Sequence, residues 1–499
     1  MRLFIFLLCL VVVSCAKSKQ DQGEQLYAMH CARCHTLPNT EYLTKELWAE
    51  NILPDMGARM GIRDPKFNPF KGYSFDEQYE LIEQGIYSSV PTISEEDWEL
   101  LKAYIIQNAP EELPEIPNRE TQPLDKFKFN QVALDSIPGT TISFLDFNKS
   151  SLSIVTGELN GSIKQYQFKN DTTEQFYTAP SPVTATTNTE NGTFITAVGI
   201  LDPSQEKEGA IFLKQGDSIS TLASELHRPV HTLIHDFNKD GKSEIVISEF
   251  GNLTGALSLL KQNDQSVYEK SILIQNPGAM KTIVRDLDKD GNDDIVFLKA
   301  QGDESIMVLY QKENLTFSRD YLVRFSPIYG TSWFEMVDVD NDGDEDIITV
   351  HGDNADKTQI LKPYHGMRIY LNNGNNEFEE SYFYPMYGAT RSETADFDQD
   401  GDMDIALIST FPDYADRPVN SFIYLENTGN PEFEFITRTL PLEADGKWFL
   451  MKAADVDADG DQDIILSAFT YFFSSIPKDL AEKWSASSAD LLILENTLH

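Results

Sequence analysis

A short acidic motif recurs five times beyond residue 230, and it constrains the fold more than any other feature of the chain. Each copy has a carboxylate or amide side chain at positions 1, 3, 5 and 9 and a glycine at position 6. Successive copies start 50 to 59 residues apart, a period typical of repeat architectures. The residues at positions 1, 3, 5 and 9 are Asp236, Asn238, Asp240, Glu244, Asp286, Asp288, Asp290, Asp294, Asp338, Asp340, Asp342, Asp346, Asp396, Asp398, Asp400, Asp404, Asp455, Asp457, Asp459 and Asp463.

These side chains, together with the backbone carbonyl at position 7, offer the hard oxygen ligands that calcium prefers. An EF-hand shares the first half of the motif, but it needs a glutamate at position 12, where this chain has Phe297 or Leu407. The flanking segments read as strands rather than helices. The sequence therefore predicts up to five calcium ions in strand-to-strand loops. The alternative is a solvated acidic turn, which applies best to the copy at Asp236, where two lysines dilute the charge.

The five loops carry about half of the net charge of -40. Bound cations would offset this charge, whereas bare loops of this kind would repel one another. Nucleic acid and anionic membrane surfaces are excluded as partners, because both require a positive face.

Most copies continue with a third strand, an Asn/Gly turn and a fourth strand, as in residues 368–374 followed by 378–384. Four strands in roughly 50 residues are the unit of a β-propeller blade. Two weaker copies, near Asp146 and Asp202, bring the number of blades to seven. The chain ends on a third strand, and residues 127–134 supply the missing fourth strand that closes the ring.

The repeats resemble FG-GAP/VCBS repeats, the calcium-loop blades also found in integrin α-chains. The resemblance covers residues 124–499. It implies an all-β, seven-bladed propeller with calcium-binding loops that serves as a docking or binding scaffold.

Cys31, Cys34 and His35 form a CxxCH motif. Two thiols at this spacing can bond both vinyl groups of a haem, and the histidine can reach the iron from the same face. The motif predicts covalent attachment of haem c. A zinc site, a redox pair and a chance match are the alternatives.

Residues 23–30 run into this motif as a predicted helix and resemble the first helix of class I cytochromes c, in which a glycine and an aromatic residue face a C-terminal helix. The partner helix is expected over 93–109, with Ser94 as its N-cap. Residues 23–110 thus form the expected small all-α domain. The packing face of the partner helix comprises Trp98, Leu101, Tyr104 and Ile105.

A haem of this class usually has a second axial ligand, and a soft thioether suits ferrous iron. Met56 is preferred, because Pro54 and Gly57 are expected to form a rigid turn around it that resembles the methionine loop of small cytochromes c. Met60 is the alternative. An iron with two protein ligands has no open position, so the expected chemistry is electron transfer rather than bond chemistry.

The N-terminus has the charged start and apolar run of a secretory signal peptide, and residues 12–15 resemble a bacterial lipobox. That resemblance implies cleavage before Cys15 and its lipidation, with export to the periplasm or outer membrane and membrane attachment through the lipid anchor. An ordinary signal peptide with a stray cysteine is the alternative. The predicted signal peptide, tether, cytochrome c-like domain, proline-rich linker and propeller span 1–14, 15–22, 23–110, 111–123 and 124–499.

The expected function is that of an electron carrier with a redox partner protein. Two alternatives stay open. The propeller could be a dehydrogenase that passes substrate electrons to the haem, or a surface module that binds a glycan or a protein. The propeller histidines form no recognisable base or metal constellation in the sequence, which favours a carrier over a catalyst.

Overall fold

The computed structural model describes residues 18–355, 358–430, 433–441, 446–471 and 476–498. The predicted signal peptide and the candidate lipidation residue Cys15 lie outside the described residues. Across the described ranges, no helix combines the length and apolar character needed to cross a membrane.

Residues 127–496 form seven sheets, each with four antiparallel strands, arranged as the blades of a β-propeller. The predicted seven-bladed propeller is therefore confirmed. We number the blades I to VII along the chain and letter their strands A to D from the centre outward. Strands A of neighbouring blades contact one another, and blade VII contacts blade I, so the ring is closed.

The strands of blades I to IV, four for each blade in the order A to D, are Ile142–Asn148, Ser153–Glu158, Ser162–Gln167 and Thr172–Thr178; Val183–Thr189, Gly192–Ala197, Gly209–Gln215 and Ser218–Leu226; Pro229–His235, Glu244–Glu249, Ala256–Gln262 and Tyr268–Ile274; and Ala279–Arg285, Asp294–Lys299, Ser305–Lys312 and Thr316–Arg324. Those of blades V to VII are Thr331–Val337, Asp346–His351, Gly366–Asn372 and Phe378–Pro385; Ala389–Ala395, Asp404–Ser409, Phe422–Asn427 and Phe435–Thr439; and Trp448–Ala454, Asp463–Ala468, Leu491–Asn496 and Phe127–Val132.

Blade VII takes its fourth strand from the segment that precedes blade I. Phe127 pairs with Asn496 and Val132 pairs with Leu491. This antiparallel pairing confirms the predicted closure of the ring, because strand Leu491–Asn496 would otherwise be the unpaired edge of blade VII.

The core lies between adjacent blades rather than within one. Strand B of blades III to VII is buried along its whole length, as in Asp294–Lys299. Ile348 of blade V, for example, belongs to the same apolar cluster as Ile405 and Leu407 of blade VI. Each such fully buried aliphatic side chain contributes about 1.5 to 3 kcal/mol. Burial on both faces explains why these strands are continuous apolar runs rather than alternating ones.

In blade II, the weak copy of the repeat does not lie where the sequence predicts it. Asp202 lies between strands B and C, at the opposite end of the sheet from the acidic loops, so the weak copy near Asp202 is not a counterpart of those loops. Strands A and B of blade II are joined instead by a tight hairpin at 190–191. The Asn191-Gly192 dipeptide is a strong signal for such a hairpin, although it does not belong to the acidic repeat.

The helices are α1 (Lys19–Cys31), α2, a continuous run of α-, π- and α-helical turns (Lys45–Leu47, Trp48–Ile52, Leu53–Arg59), α3 (Phe75–Glu83), α4 (Glu95–Asn108) and α5 (Lys478–Ala486). Single 3-10 turns occur at Thr40–Tyr42, Phe168–Asn170, Glu313–Leu315 and Pro418–Ser421. The first four helices belong to residues 18–109, which we call the helical segment.

The predicted crossing of the first and last helices of this segment is present. A Cβ atom on Gly23 of α1 would lie 2.7 Å from Tyr104 Cβ and 2.8 Å from the Leu100 carbonyl oxygen of α4. Only glycine therefore fits at the crossing. Tyr27, one turn later, is buried and packs on Tyr104 with 5.7 Å between ring centroids. The Ser94 side chain accepts the Asp97 N–H and caps α4, as predicted.

Two connecting segments are more ordered than the sequence indicates. Helix α1 begins at Lys19 because Ser18 and Asp21 form a capping box, so residues 19–22 of the predicted tether are helical. In the predicted linker, the N–H of buried Ile116 donates to the Tyr387 hydroxyl, and Gln122–Pro123 adds a short parallel strand to blade VI. The linker is thus bound along the propeller rather than being a free spacer.

Candidate functional site

The CxxCH motif lies where helix α1 ends. Cys31 is the last residue of α1 and is half-buried, whereas Cys34 is exposed, and both thiols are free. His35 Nδ1 lies 2.8 Å from the Thr36 carbonyl oxygen. Because a carbonyl can only accept a hydrogen bond, this contact places the imidazole proton on Nδ1 and leaves the Nε2 lone pair for a metal. The donor set of two thiols and one oriented imidazole fits haem c.

The burial of Cys31 disfavours a redox pair. Burial, with a further contribution from Cys34, raises the pKa of the Cys31 thiol to about 12. A dithiol redox motif depends on a thiolate with a lowered pKa, so Cys31 has the opposite character.

Cys31 and both candidate methionine ligands pack against one apolar cluster of the helical segment, which includes Trp48, Leu53 and Trp98. The predicted rigid turn around Met56 is wrong, because Pro54 and Gly57 lie inside the helical turns Leu53–Arg59. Gly57 serves helix packing instead, since a Cβ atom there would lie 3.0 Å from Trp98 Cζ2.

Met60 follows directly after α2. Its carbonyl oxygen accepts the Thr92 N–H at 2.9 Å, which fixes this residue against the segment that leads into α4. The structure thus brings Cys31, Met56 and Met60 to the same cluster, and either thioether belongs to the apolar surroundings that a haem needs.

The five acidic loops all connect strands A and B, and they occupy the consecutive blades III to VII. Four of them bring three carboxylate groups together, with their ligand oxygens within 4.8 Å of one another. In the Asp236 loop, Asn238 replaces the second carboxylate, and no such group forms there among the described residues. The four groups are Asp286, Asp288 and Asp290; Asp338, Asp340 and Asp346; Asp396, Asp398 and Asp400; and Asp455, Asp457 and Asp463.

The same backbone contacts shape every loop. The position 1 carboxylate accepts the N–H groups of positions 5 and 6, as Asp396 does from Asp400 at 3.0 Å and Gly401 at 3.1 Å. The glycine at position 6 has a positive φ, +101° in Gly401, which side chains with a Cβ atom rarely adopt. The backbone of each loop is therefore preformed by hydrogen bonds.

The position 9 residue begins strand B and is buried, and in blades IV to VII both of its carboxylate oxygens accept backbone N–H groups. Asp463 accepts those of Val456 and Asn496, both at 2.8 Å. Burial, assisted by neighbouring carboxylates of the same loop, raises the pKa of Asp404 and of Asp463 to about 7. A cluster of oxygen ligands with unbalanced negative charge fits a hard divalent cation such as calcium.

The opposite face of the propeller, made by the B–C and D–A connections, contacts the helical segment. The Thr36 hydroxyl donates to the Phe325 carbonyl. Nearby, the Tyr42 ring stacks on Tyr364 with 4.7 Å between centroids, and Tyr364 stacks on Tyr329 with 5.7 Å. We call Tyr42, Tyr329 and Tyr364 the tyrosine stack. Its first member, Tyr42, lies seven residues beyond His35 in the chain.

A second contact lies on blades II and III. Glu80 of α3 forms an ion pair with Lys207 at 3.1 Å and lies 3.6 Å from His227 Nε2. The Asn252 amide also approaches the Tyr73 hydroxyl at 3.4 Å. Neither docking contact could be predicted from the sequence, because the residues that make them are scattered single positions without a repeat or motif.

Residues 286–349 match the profile of the FG-GAP-like repeat. The matched stretch runs from the acidic loop of blade IV to strand B of blade V. The chain therefore carries FG-GAP repeats in a seven-bladed propeller, as the resemblance indicated. No relative is found among curated proteins.

Among solved structures, the chain is similar to the N-terminal domain of Nup159, with 12% identity and a TM-score of 0.41, over 76% of this chain and 98% of that one. It is also similar to a candidate 6-phosphogluconolactonase from Bacteroides uniformis, with 10% identity and a TM-score of 0.37, over 60% of this chain and 85% of that one. Both likenesses are too distant to assign a function.

Proposed function

We propose that this chain is an exported, lipid-anchored c-type cytochrome that transfers electrons, and that its FG-GAP propeller is a calcium-stabilised scaffold that presents the haem to a redox partner. The observation that carries the proposal is the CxxCH motif at the end of α1. Its histidine is oriented by Thr36, and its first cysteine packs against the same apolar cluster as Met56 and Met60.

Cys31 and Cys34 would hold the haem through thioether bonds, and His35 and Met56 would bind its iron, with Met60 as the alternative to Met56. The bound haem would supply a one-electron carrier. The apolar cluster would keep water from the iron, and the Thr36 carbonyl would hold the imidazole in one tautomer. A thioether ligand favours ferrous iron and raises the reduction potential.

Calcium in up to five A–B loops is the second part of the proposal. It is supported by the clustered carboxylate oxygens, the preformed loop backbone and the raised pKa of the buried position 9 carboxyls. The role of the ions would be structural, because each loop lies on the face remote from the helical segment.

The scaffold role of the propeller is supported by the docking contacts. Thr36 is the residue after the candidate iron ligand His35, and its hydroxyl is bonded to blade IV. A partner that approaches the haem would therefore meet the propeller surface as well. Membrane attachment is supported by the sequence around Cys15 alone, and a Cys15→Ser variant should move from the membrane to the aqueous fraction.

The haem proposal is tested by expressing the full chain together with a c-type haem maturation system. We expect covalent haem that survives denaturation, and its loss in the Cys31→Ala/Cys34→Ala variant. The Met56→Ala variant should lose the low-spin methionine spectrum and show a lower potential, with Met60→Ala as the matched control. A reversed result would assign Met60, and a wild-type chain that binds zinc but no haem would refute the cytochrome function.

A further inference from the structure

The acidic loops of neighbouring blades are joined by one repeated contact. The side chain at position 4 of one loop donates to the carbonyl oxygen of the position 6 glycine in the next. Lys239 Nζ lies 2.6 Å from the Gly291 oxygen, Asn341 Nδ2 lies 3.1 Å from that of Gly401, and Gln399 Nε2 lies 3.3 Å from that of Gly460. All three contacts run in the same direction around the ring, from a blade to its successor.

A shared backbone conformation explains the repetition. Position 4 has a φ of 57° in Lys239, 60° in Asn341 and 56° in Gln399, and side chains with a Cβ atom enter this left-handed region only in particular turns. Lys289, at position 4 in blade IV, has a φ of 56°, and its Nζ lies 3.8 Å from the position 7 carboxylate of Asp344. The same turn thus directs four successive side chains towards the next loop.

The series ends where the acidic loops end. Position 4 in blade VII is Ala458, which has the same backbone conformation, with a φ of 61°, but no donor. Its successor, blade I, has the degenerate loop that lacks the glycine. Donors therefore occur in every loop that is followed by another acidic loop, and the last loop has none.

Two of the junctions have an additional bridge. The residue before position 1 pairs with the position 8 carboxylate of the next loop. His235 Nε2 lies 2.8 Å from Asp293 Oδ2, and Arg285 Nε lies 2.6 Å from Glu345 Oε2. The loops of blades III, IV and V are thus joined by two contacts at each junction.

We propose that Lys239, Lys289, Asn341 and Gln399 are positioning residues for the ion site of the following blade, so that calcium bound in one loop raises the affinity of the next. This inference rests on the proposed calcium function. The donor stands between two candidate ligands of its own loop, at positions 3 and 5, so an ion that orders these ligands orders the donor too. The carbonyl that accepts this hydrogen bond belongs to position 6 of the next loop. The residue directly after it, at position 7, supplies the backbone carbonyl that is a candidate ligand of the next site. Such coupling acts in both directions, because binding free energies are linked reciprocally.

The test is a calcium titration of the full chain after a chelator has removed bound metal. Isothermal titration calorimetry measures the binding. We expect several calcium ions per chain and a Hill coefficient above one. Gln399→Ala removes one donor, and we expect about a five-fold loss of affinity in one binding step, the factor that corresponds to one ordinary hydrogen bond. Asn341→Ala/Gln399→Ala should weaken two steps and lower the Hill coefficient.

Ala458→Gln is the matched control, because it adds a donor at the same backbone position where no acidic loop follows, and its titration should equal that of the wild type. Circular dichroism before the titration verifies that each variant is folded. If the wild type binds calcium and Gln399→Ala titrates identically, the coupling is refuted while the ion sites stand. If the wild type binds no calcium, the ion sites and the coupling are both refuted.

Discussion

The two faces of the propeller are built in opposite ways. The A–B face repeats one loop in five consecutive blades, with the same hydrogen bonds and the same left-handed residue each time. The opposite face holds the helical segment through contacts that occur once each, namely the tyrosine stack, the Thr36 hydroxyl and Glu80. Repetition suits a structural task shared by many blades, whereas single contacts suit the docking of one element in one orientation.

Calcium removal should have the largest effect and acts on the repeated face alone. An ion at a hundred times its dissociation constant stabilises the folded state by about 2.7 kcal/mol for each site. With several sites filled, we expect a chelator to lower the melting temperature by about 10 °C or more, given a shift of about 2 to 4 °C per kcal/mol in large domains. Differential scanning calorimetry with and without added calcium measures this shift. An unchanged melting transition would show that calcium does not stabilise this face.

Gly23→Ala should destabilise the helical segment and leave the repeated face intact. The new methyl group meets Tyr104 Cβ at 2.7 Å, and overpacking of this kind costs about 1 to 3 kcal/mol, although alanine is the better helix former. Loss of helical circular dichroism would report the effect. Ala28→Gly, at an exposed position of the same helix, is the control and changes helix propensity alone. A Gly23→Ala variant that is at least as stable as the wild type would contradict the tight crossing, because alanine by itself favours the helix.

The coupling energy within the tyrosine stack can be measured by two double-mutant cycles. One combines Tyr42→Ala with Tyr364→Ala, and the other combines Tyr42→Ala with Tyr364→Phe. Stacked aromatic pairs contribute about 0.5 to 1.5 kcal/mol beyond their buried area, so we expect a coupling energy of that size between Tyr42 and Tyr364. The phenylalanine variant separates ring stacking from the hydroxyl that donates to the Tyr42 carbonyl at 2.9 Å. Tyr79→Ala, at an exposed position of α3, should show no coupling. A zero coupling energy for Tyr42 and Tyr364 would mean that the stack does not hold the helical segment.

Glu80→Gln should have the smallest effect. The Glu80 side chain is 21% exposed and its partner Lys207 is 43% exposed, so solvent and salt screen the pair, and we expect a loss of about 0.5 kcal/mol or less. The difference in melting temperature between variant and wild type should vanish at high salt. A large effect that persists at high salt would show that Glu80 is a principal anchor instead.

The repeated face could be predicted from the sequence, and the docking face could not. The acidic loops and the blades that carry them follow from a local pattern that recurs, so each copy supports the others, and the strand over residues 127–132 follows from the fourth strand that the last blade lacks. The α1–α4 crossing was also predictable, because Gly23, Tyr27 and the Ser94 cap form a recognisable set. The tyrosine stack joins residues more than 280 positions apart, and no local pattern indicates such a contact.

Two errors have physical explanations. Pro54 and Gly57 are typical of turns, but Pro54 lies where the π-helical turn Trp48–Ile52 of α2 passes into the α-helical turns Leu53–Arg59, and the close approach of Trp98 selects glycine inside those turns. Asp202 matched the repeat period, whereas the Asn191-Gly192 hairpin had already placed the strand connection of blade II ten residues earlier. In both cases a specific packing or turn requirement, rather than a general residue propensity, determined the local structure.

The pairing of Phe127–Val132 with Leu491–Asn496 also sets an order of events in biosynthesis. Residues 18–109 are synthesised before the propeller and contain the complete helix crossing, so this segment can fold while the propeller is still being made. The ring cannot close until the final strand has been synthesised. A nascent chain truncated before residue 491 would therefore keep strand 127–132 unpaired. Pairing of this strand with residues 491–496 is thus the final step in closing the propeller.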